Sequence, residues 1–302
     1  MTTIQSYQNL PKKINKLNLN IIGVGKVSSV MGILWQQSNH INVQAVFNRS
    51  ISASIDLKHH LPHIKICTSL HEMPPADIIV IGVSDEIIPY IAEKIKQIDW
   101  IKPETLLIHF SGALSSRILI NDEQKALTGS IHPVFAFSHI DTAIKTLPGN
   151  LCALEGDEQA IPVLQKLAQW ARLQPFPINA NQKARYHAAL SISANFLVTL
   201  NNYARRILTS LAIPPDLADK LVNQLMQQNL NQLQQYAPAV ALTGPIKRGD
   251  TDTIMRHWEA LSDEEHSLYR TLALHTLSLT SLSEEKREQI KNIVTAKSRD
   301  RE

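Results

Sequence analysis

Short, almost wholly apolar runs alternate with amphipathic stretches over the first half of the 302-residue chain. Runs rich in Ile, Val and Leu, with little polar alternation, are typical of strands that helices cover on both faces of a parallel sheet. Helical stretches separate most of these runs. The pattern predicts a doubly wound α/β sheet, with strands at Leu19–Gly25, Val43–Arg49, Ile64–Thr68, Asp77–Ser84 and Thr105–Gly112, and three more near Thr128–Val134, Leu151–Glu155 and Pro175–Ile178.

The second half of the chain has a different pattern. After about Asn179 no strand run follows, and leucines recur at near-helical spacing. A capping box at Ser262–Glu265 opens one helix, and longer helical runs are predicted at Gln182–Leu211, Asp216–Tyr236 and Glu284–Ala296. The predicted fold class is α/β, a doubly wound Rossmann sheet followed by an all-α C-terminal domain. The predicted boundaries are a flexible tail over 1–18, an α/β domain over 19–178 and a helical domain over 179–302.

One loop in the α/β domain has the residues of a phosphate-binding turn. Gly23-Val24-Gly25 closes the first predicted strand and precedes the first predicted helix, as in a G-x-G-x-x-G dinucleotide fingerprint. The third position has Ser28, a small residue whose hydroxyl could cap the helix or bond a phosphate. An ordinary turn without a ligand is the alternative. The predicted cofactor contacts are Gly23, Val24, Gly25, Lys26, Val27 and Ser28, with Val83 and Ser84 after the fourth strand.

The end of the second predicted strand favours NADP over NAD. An NAD site usually has an acidic residue there, which accepts a hydrogen bond from the ribose 2′-hydroxyl. This chain has Asn48, Arg49 and Ser50 instead, and an arginine can hold a 2′-phosphate through charge-assisted hydrogen bonds. The missing acid also counts against S-adenosylmethionine. A solvated arginine in a turn is the alternative.

Composition excludes several other classes of protein. The net charge is only +3 and the basic residues are spread out, so no nucleic-acid partner is predicted. The most apolar helical run, Ala188–Leu200, is too short for a bilayer, and the polar N-terminus lacks the apolar core of a signal peptide. Cys67 and Cys152 form neither a ligand-spaced pair nor a disulfide framework. These features predict a cytoplasmic protein without a membrane partner.

Metal binding and hydrolase chemistry are not predicted. His59, His60 and His63 form a local cluster, but Pro62 interrupts it and no acid or cysteine completes a ligand set. The chain also lacks the G-x-S-x-G elbow of a serine hydrolase.

The order and spacing of several segments resemble a known family. The chain resembles the Rossmann-like proteins that carry the domain of unknown function 2520, relatives of the NADP-dependent reductases. The segments are "GVGKVSS", "FNRS", "VSDEII", "HFSGALSS", "GSIHPVFAFS", "YHAALSISANFLVTL", "ALTGPIKRGD" and "MRHWEAL", between about Leu19 and Leu279. The resemblance implies a Rossmann domain, a helical domain and dimerisation through the helices, as in pyrroline-carboxylate and ketopantoate reductases. It implies no particular reaction. Ser28 and Phe135 depart from the family pattern.

Candidate catalytic residues lie near the ends of predicted strands and on the first long helix. His132 precedes Pro133 near the end of a later strand, so it can face the cofactor. His187, Ser191 and Asn195 recur every four residues and share one helical face. His187 is predicted to donate a proton, with Asn195 orienting the substrate and Ser191 contacting it. A hydrogen-bonded polar stripe inside a helical bundle is the alternative. Related reductases often pair a lysine with an asparagine on this helix, and the position of that lysine stays open here.

Three further residues are predicted to bind substrate. Ser111 follows the fifth predicted strand and borders the nicotinamide end, with a helix N-cap as the alternative for it and for Ser84. The segment Gly244–Asp250 is a turn between helices. Arg248 is predicted to hold a substrate carboxylate while Asp250 fixes its guanidinium, with a surface salt bridge at a helix cap as the alternative.

Together these features predict an NADP-dependent oxidoreductase, a dehydrogenase of unknown substrate. It would transfer a hydride between NADPH and a small carbonyl or imine compound in the cleft between its two domains. The predicted assembly is a homodimer through the helical domain. The alternative from another class is a non-catalytic NADP-binding sensor or assembly protein that keeps the reductase fold.

Overall fold

A computed structural model of the chain describes residues 16–120 and 125–296. All the predicted strands are present, with ends shifted by a few residues: Leu17–Ile22 (β1), Ile41–Phe47 (β2), Lys65–Cys67 (β3), Ile78–Ile81 (β4), Leu106–His109 (β5), Leu127–Pro133 (β6), Leu151–Gly156 (β7) and Gln174–Pro177 (β8). They form one sheet in the order β3-β2-β1-β4-β5-β6-β7-β8. The predicted fold class is therefore confirmed.

The sheet is parallel from β3 to β6, and the chain reverses at β7. β7 pairs antiparallel with β6, and β8 again runs parallel to β7. β4 and β5 are buried along their whole length, as expected for strands covered on both faces. The order changes direction between β1 and β4, which is the place where open α/β sheets bind ligands.

Helices cover both faces of the sheet. They are Lys26–Gln37 (α1), Ile51–His60 (α2), Ile88–Ile95 (α3), Ile140–Thr146 (α4) and Ile161–Trp170 (α5). The α1 and α5 side chains pack in one core, where Trp35 Nε1 donates to the Leu167 carbonyl at 2.8 Å. The α3 side chains Ile88, Ile91 and Ile95 pack in the core on the other face.

The remaining helices begin after the last strand. They are Lys183–Ser210 (α6), Pro215–Gln235 (α7), Pro238–Ala241 (α8), Pro245–Arg248 (α9), Thr251–Ala260 (α10), Asp263–Leu277 (α11) and Glu284–Thr295 (α12). α10, α11 and α12 share a core around Ile254, Trp258 and Ile290. At the predicted capping box, the Ser262 N–H donates to Glu265 Oε2 at 2.7 Å. No helix in the described part of the chain is both long and apolar enough to cross a membrane.

The chain divides into two compact units after Phe196, inside α6. The strands end at Pro177, close to the change of pattern at Asn179, but the first turns of α6 belong with the sheet because Lys183 is buried there. The tail predicted over 1–18 lies outside the described residues up to residue 15. Leu17 and Asn18 are the first residues of β1, where they pair with Ile41 and Asn42.

Candidate functional site

The loop between β1 and α1 is closed by the hydroxyl of Ser28. This hydroxyl donates to the Gly23 carbonyl at 2.8 Å and accepts from the Gly25 N–H at 3.2 Å. Ser28 is fully buried, and a Cβ on Gly82 would lie 2.2 Å from its oxygen. The third fingerprint position thus holds a small residue that fastens the loop and caps α1. Its hydroxyl faces the loop backbone.

The geometry of the loop fits a dinucleotide phosphate. Gly23 has a φ of +92°, and a Cβ there would lie 2.5 Å from Val83 Cγ1, so no other residue fits. Gly25 is the N-cap of α1, and it is exposed together with Lys26. The first turn of α1 contains no acidic residue, which leaves its positive end available to an anion.

The residues after β2 divide into two groups. The Asn48 side chain supports the loop, because its Oδ1 accepts from the Val24 N–H at 3.1 Å and its Nδ2 donates to the Ser50 carbonyl at 2.8 Å. Arg49 and Ser50 are exposed, and the Ser50 hydroxyl lies 2.7 Å from that of Ser52. Arg49 therefore offers a cation at the start of α2, whose first turn contains no acid.

The loops after β4 and β5 are joined by one hydroxyl. Ser111 Oγ donates to Asp85 Oδ2 at 2.6 Å and accepts the N–H groups of Ala113 and Leu114 at 3.2 and 2.9 Å. Ser111 is buried, so its structural role is to shape this edge of the site. Ser84, just before Asp85, is exposed.

Two histidines meet across the end of the sheet. His132 on β6 and His187 on α6 have ring centroids 5.6 Å apart at an interplanar angle of 75°. His132 Nδ1 lies 2.9 Å from the Tyr186 hydroxyl. Both rings pack against Gly112. A Cβ at this residue would lie 2.5 Å from His187 Cδ2 and 2.7 Å from His132 Nε2. The His132–His187 pair therefore exists because residue 112 has no side chain.

A buried ion pair lies beneath these histidines. Lys183 Nζ donates to Ser130 Oγ at 2.6 Å and lies 3.7 Å from Glu155 Oε2. The Glu155 carboxylate also accepts from the hydroxyl groups of Ser115, Ser116 and Ser130 and from the Ser116 N–H, at 2.8–3.1 Å. These donors satisfy a carboxylate that burial alone would keep neutral.

Burial and neighbouring charges shift the ionisation of the site. Burial, then the nearby His187 and Lys183, lower the pKa of His132 to about 4 against the opposing charge of Asp85. Burial and Lys183 likewise lower the pKa of His109 to about 4. Burial lowers the pKa of Lys183 to about 8, although Glu155 supports its charge. For Glu155, burial acts upward, but the donated hydrogen bonds outweigh it and lower the pKa.

The other predicted residues lie further away. Ser191 and Asn195 follow His187 on α6, half-buried and exposed respectively. A rise of about 1.5 Å per residue puts Asn195 roughly 12 Å along the axis from His187, so only an extended substrate could contact both.

Arg248 and Asp250 belong to the second unit. Asp250 is the N-cap of α10: its carboxylate accepts from the Thr253 N–H at 3.1 Å and from the Thr253 hydroxyl at 2.8 Å. Arg248 is largely exposed, 3.9 Å from the same carboxylate. This is the geometry of a surface salt bridge at a helix cap. Among the residues that the structure describes, no group of three His, Cys, Asp or Glu side chains is placed to hold a metal ion.

Two family models match the chain. A Rossmann-like domain matches residues 3–133, and a domain of unknown function (DUF2520) matches residues 150–276. The chain is a Rossmann-like protein with a DUF2520 domain. The DUF2520 match starts before β7, so this domain includes both Glu155 and Lys183. Among curated proteins, none matches the chain.

Solved structures share this fold. A candidate NADP oxidoreductase from Bacteroides fragilis is 19% identical, with a TM-score of 0.71 over 88% of this chain and 100% of that one. A protein from Thermotoga maritima is 26% identical, with a TM-score of 0.62 over 91% and 98%. Pyrroline carboxylate reductase from Plasmodium falciparum, solved with NADP bound, is 12% identical, with a TM-score of 0.56 over 93% and 100%. These likenesses agree with the Rossmann-like fold of the chain.

Sequence reasoning missed the residues that support His132 and His187. The helical face of His187, Ser191 and Asn195 extends back by one turn to Lys183, so the four-residue spacing was a usable signal. Glu155 follows the apolar run Leu151–Leu154. A single acidic residue in a buried strand needs a buried partner, so this residue was a signal in the sequence. Tyr186 had no such signal in the sequence.

Replacing Gly112 with alanine should move both histidines. The added methyl group would overlap the two rings, and overpacking of this kind costs about 1–3 kcal/mol of unfolding free energy. NMR spectra of histidine-labelled protein should show changed imidazole shifts for His132 and His187, together with a lower midpoint of unfolding. Gly32→Ala is the matched control. This glycine lies on α1, and its added Cβ would lie 2.8 Å from Ile21 Cδ1 on β1. Unchanged imidazole shifts in Gly112→Ala would contradict the geometry.

Acid should destabilise the protein before most carboxylates titrate. The pKa values of His109 and His132 are lowered in the folded state, so the unfolded chain binds more protons. The stability that these two histidines contribute is therefore complete above about pH 6.5 and is lost as the pH falls towards 4, by about 1.4 kcal/mol per pH unit for each histidine. Urea unfolding between pH 7 and 5 measures this slope. His132→Asn should make it shallower, whereas His71→Asn, an exposed control, should not. An unfolding free energy that does not change between pH 7 and 5 would refute the lowered pKa values of the two histidines.

Proposed function

We propose that this protein is an NADP-dependent oxidoreductase that reduces a small carbonyl or imine compound. The observation that carries the proposal is that one unit holds both an exposed phosphate-type loop at β1–α1 and the His132–His187 pair at the same edge of the sheet. The carboxyl ends of parallel strands gather there, and cofactor and substrate meet there in open α/β sheets.

The β2 end supports NADP as the cofactor. Lys26 and the first turn of α1 would hold the pyrophosphate, and Arg49 and Ser50 would hold the 2′-phosphate. Asn48 would act indirectly, by holding the Val24 N–H in place. NADPH, when bound, supplies the hydride.

His187 is the proposed proton donor. It stands half-buried beside Gly112, next to the loop after β5. As the substrate carbon gains the hydride, His187 gives its proton to the oxygen or nitrogen of the double bond, which becomes an alcohol or amine, and the imidazole is left neutral. His132 and Tyr186 support the ring from behind.

Binding and turnover test the proposal in two steps. The Kd values of NADPH and NADP are measured by titration calorimetry, and the oxidation of NADPH is then followed at 340 nm with panels of keto acids and cyclic imines. The absence of binding of either nucleotide would refute the oxidoreductase assignment. Binding without turnover would favour the second candidate, a non-catalytic NADP-binding sensor or assembly protein. That candidate is supported by Ser111 and Asp250, whose polar atoms form hydrogen bonds within the protein.

The proposed assembly is a homodimer through the helices. α6 and α7 expose large apolar side chains, among them Val198, Leu217, Leu221 and Leu225. Within the second unit, α6 and α7 also line an apolar groove of about 650 Å³. Light scattering coupled to gel filtration tests this, and a monomer would refute it. A small-molecule substrate and a cytoplasmic location, which the two buried free cysteines support, complete the proposal.

A further inference from the structure

The ammonium group of Lys183 is fixed inside the protein. The side chain is 1% exposed, and its polar partners come from two adjacent strands, Ser130 on β6 and Glu155 on β7. A buried ammonium group is tolerated only when it is paired and hydrogen-bonded. The hydroxyl groups of Ser115 and Ser116 hold the carboxylate in turn. The cation thus has a fixed position at the base of the site.

Lys183 also determines where the site residues of α6 stand. It lies in the first turn of α6, and Tyr186 and His187 follow at three and four residues, on the same helical face. Because Lys183 is fastened to β6 and β7, this face is held against His132, which lies on β6 itself. The contact between His132 Nδ1 and the Tyr186 hydroxyl, at 2.9 Å, depends on that placement.

The charges around His132 disfavour the protonated form of its imidazole. α6 contributes the cation of Lys183 beside the side chains of Tyr186 and His187, while the loop after β4 contributes one opposing charge, Asp85. Glu155 of β7 and His109 of β5 lie near the Lys183 ammonium group. A proton on His132 would lie close to the buried Lys183 cation and to a second imidazole, on a ring whose Nδ1 already contacts the Tyr186 hydroxyl, whereas His187 stands beside Gly112 in the loop after β5.

We propose that Lys183 is a positioning residue: its buried cation anchors the start of α6 and directs the transferable proton to His187 rather than to His132. The inference rests on the proposed function for its role in turnover, but the proton distribution is a property of the protein without substrate. Lys183 itself stays in its ion pair with Glu155 and transfers no proton.

NMR of the full-length protein labelled with [¹⁵N]histidine tests the proton distribution directly. Spectra of His132→Asn and His187→Asn assign the two rings. In the unmodified protein, at a pH where one imidazole of the pair is protonated, the imidazolium signals are expected from His187. Imidazolium signals from His132 at that pH would overturn the proposal. This measurement needs no cofactor and no turnover, so its failure is distinct from failure of the proposed function.

Variants of the ion pair test the part played by Lys183. In Lys183→Met/Glu155→Gln both charges are removed together, which avoids an unpaired buried charge. The His132 titration should then move towards neutral pH by about half a unit or more. Lys183→Arg alone, which keeps the cation, should leave the titration as in the unmodified protein, and Lys145→Met, which removes an exposed cation elsewhere, should not move it. An unmoved His132 titration in the folded double variant would refute the role of Lys183.

Discussion

Replacing His187 with asparagine is expected to lower NADPH-dependent turnover by about 10²–10⁴-fold, the usual contribution of a positioned general acid. Asparagine keeps a hydrogen-bonding side chain of moderate size but cannot release a proton at neutral pH. The loss should fall on kcat, because His187 adjoins His132 and Gly112 rather than the residues proposed to hold the cofactor. Steady-state kinetics with the substrate found by the screen measures the effect, and calorimetry should give an NADPH Kd within about twofold of the original.

His71→Asn is the matched control for this change. It removes an exposed histidine in the short helix Leu70–Glu72, away from the His132–His187 pair. Turnover of this variant should equal that of the unmodified protein. If His187→Asn keeps more than a tenth of the activity, another group donates the proton, and Tyr186 is then the next candidate because it adjoins His132.

Replacing Arg49 with alanine should weaken NADPH binding much more than NADH binding. A charge-assisted contact to the 2′-phosphate is worth about 1.5–3 kcal/mol, which corresponds to a loss of roughly 10–150-fold in affinity. NADH has no 2′-phosphate, so its Kd should change little. Fluorescence titration of both nucleotides at two salt concentrations measures the difference, which should shrink at high salt because Arg49 is exposed.

Lys58→Ala provides the charge control for Arg49. Lys58 is an exposed cation at the far end of α2, so its removal changes the net charge equally but leaves the β2 end intact. NADPH affinity should be nearly unchanged in that variant. Equal losses of NADPH and NADH affinity in Arg49→Ala would contradict the 2′-phosphate assignment.

The fold was predictable because its determinants are local. Most strands of the sheet are short, largely apolar runs bounded by turn residues, and α6 and α7 have continuous helical periodicity, so little long-range information was needed. The reversal at β7 was not predictable, because an apolar run such as Leu151–Leu154 reads alike in either direction. The direction of β7 depends on the segment that connects it to β6. That segment contains α4, whose side chains pack in the same core as the sheet.

The site was predictable only in part. The sequence indicates the loop through Gly23, where a φ of +92° and the nearby Val83 require glycine, and it indicates a polar site through the placement of His132 and His187. The roles of Ser28 and Ser111 depend on the groups opposite their hydroxyls, which include a distant carbonyl, that of Gly82, for Ser28 and a distant carboxylate, that of Asp85, for Ser111. Lys183 was missed for a related reason: its meaning comes from Glu155, nearly thirty residues away in the sequence but 3.7 Å away in space.

Asn48 and Arg49 separate the shape of the phosphate loop from the proposed choice of cofactor. Asn48 holds the shape of the phosphate loop through the Val24 N–H, while its neighbour extends into solvent and contacts only the ligand in the proposed complex. Residue 49 can therefore change without deforming the loop. A descendant of this protein could drift towards NADH by single substitutions at one exposed position, with no loss of folding stability along the way.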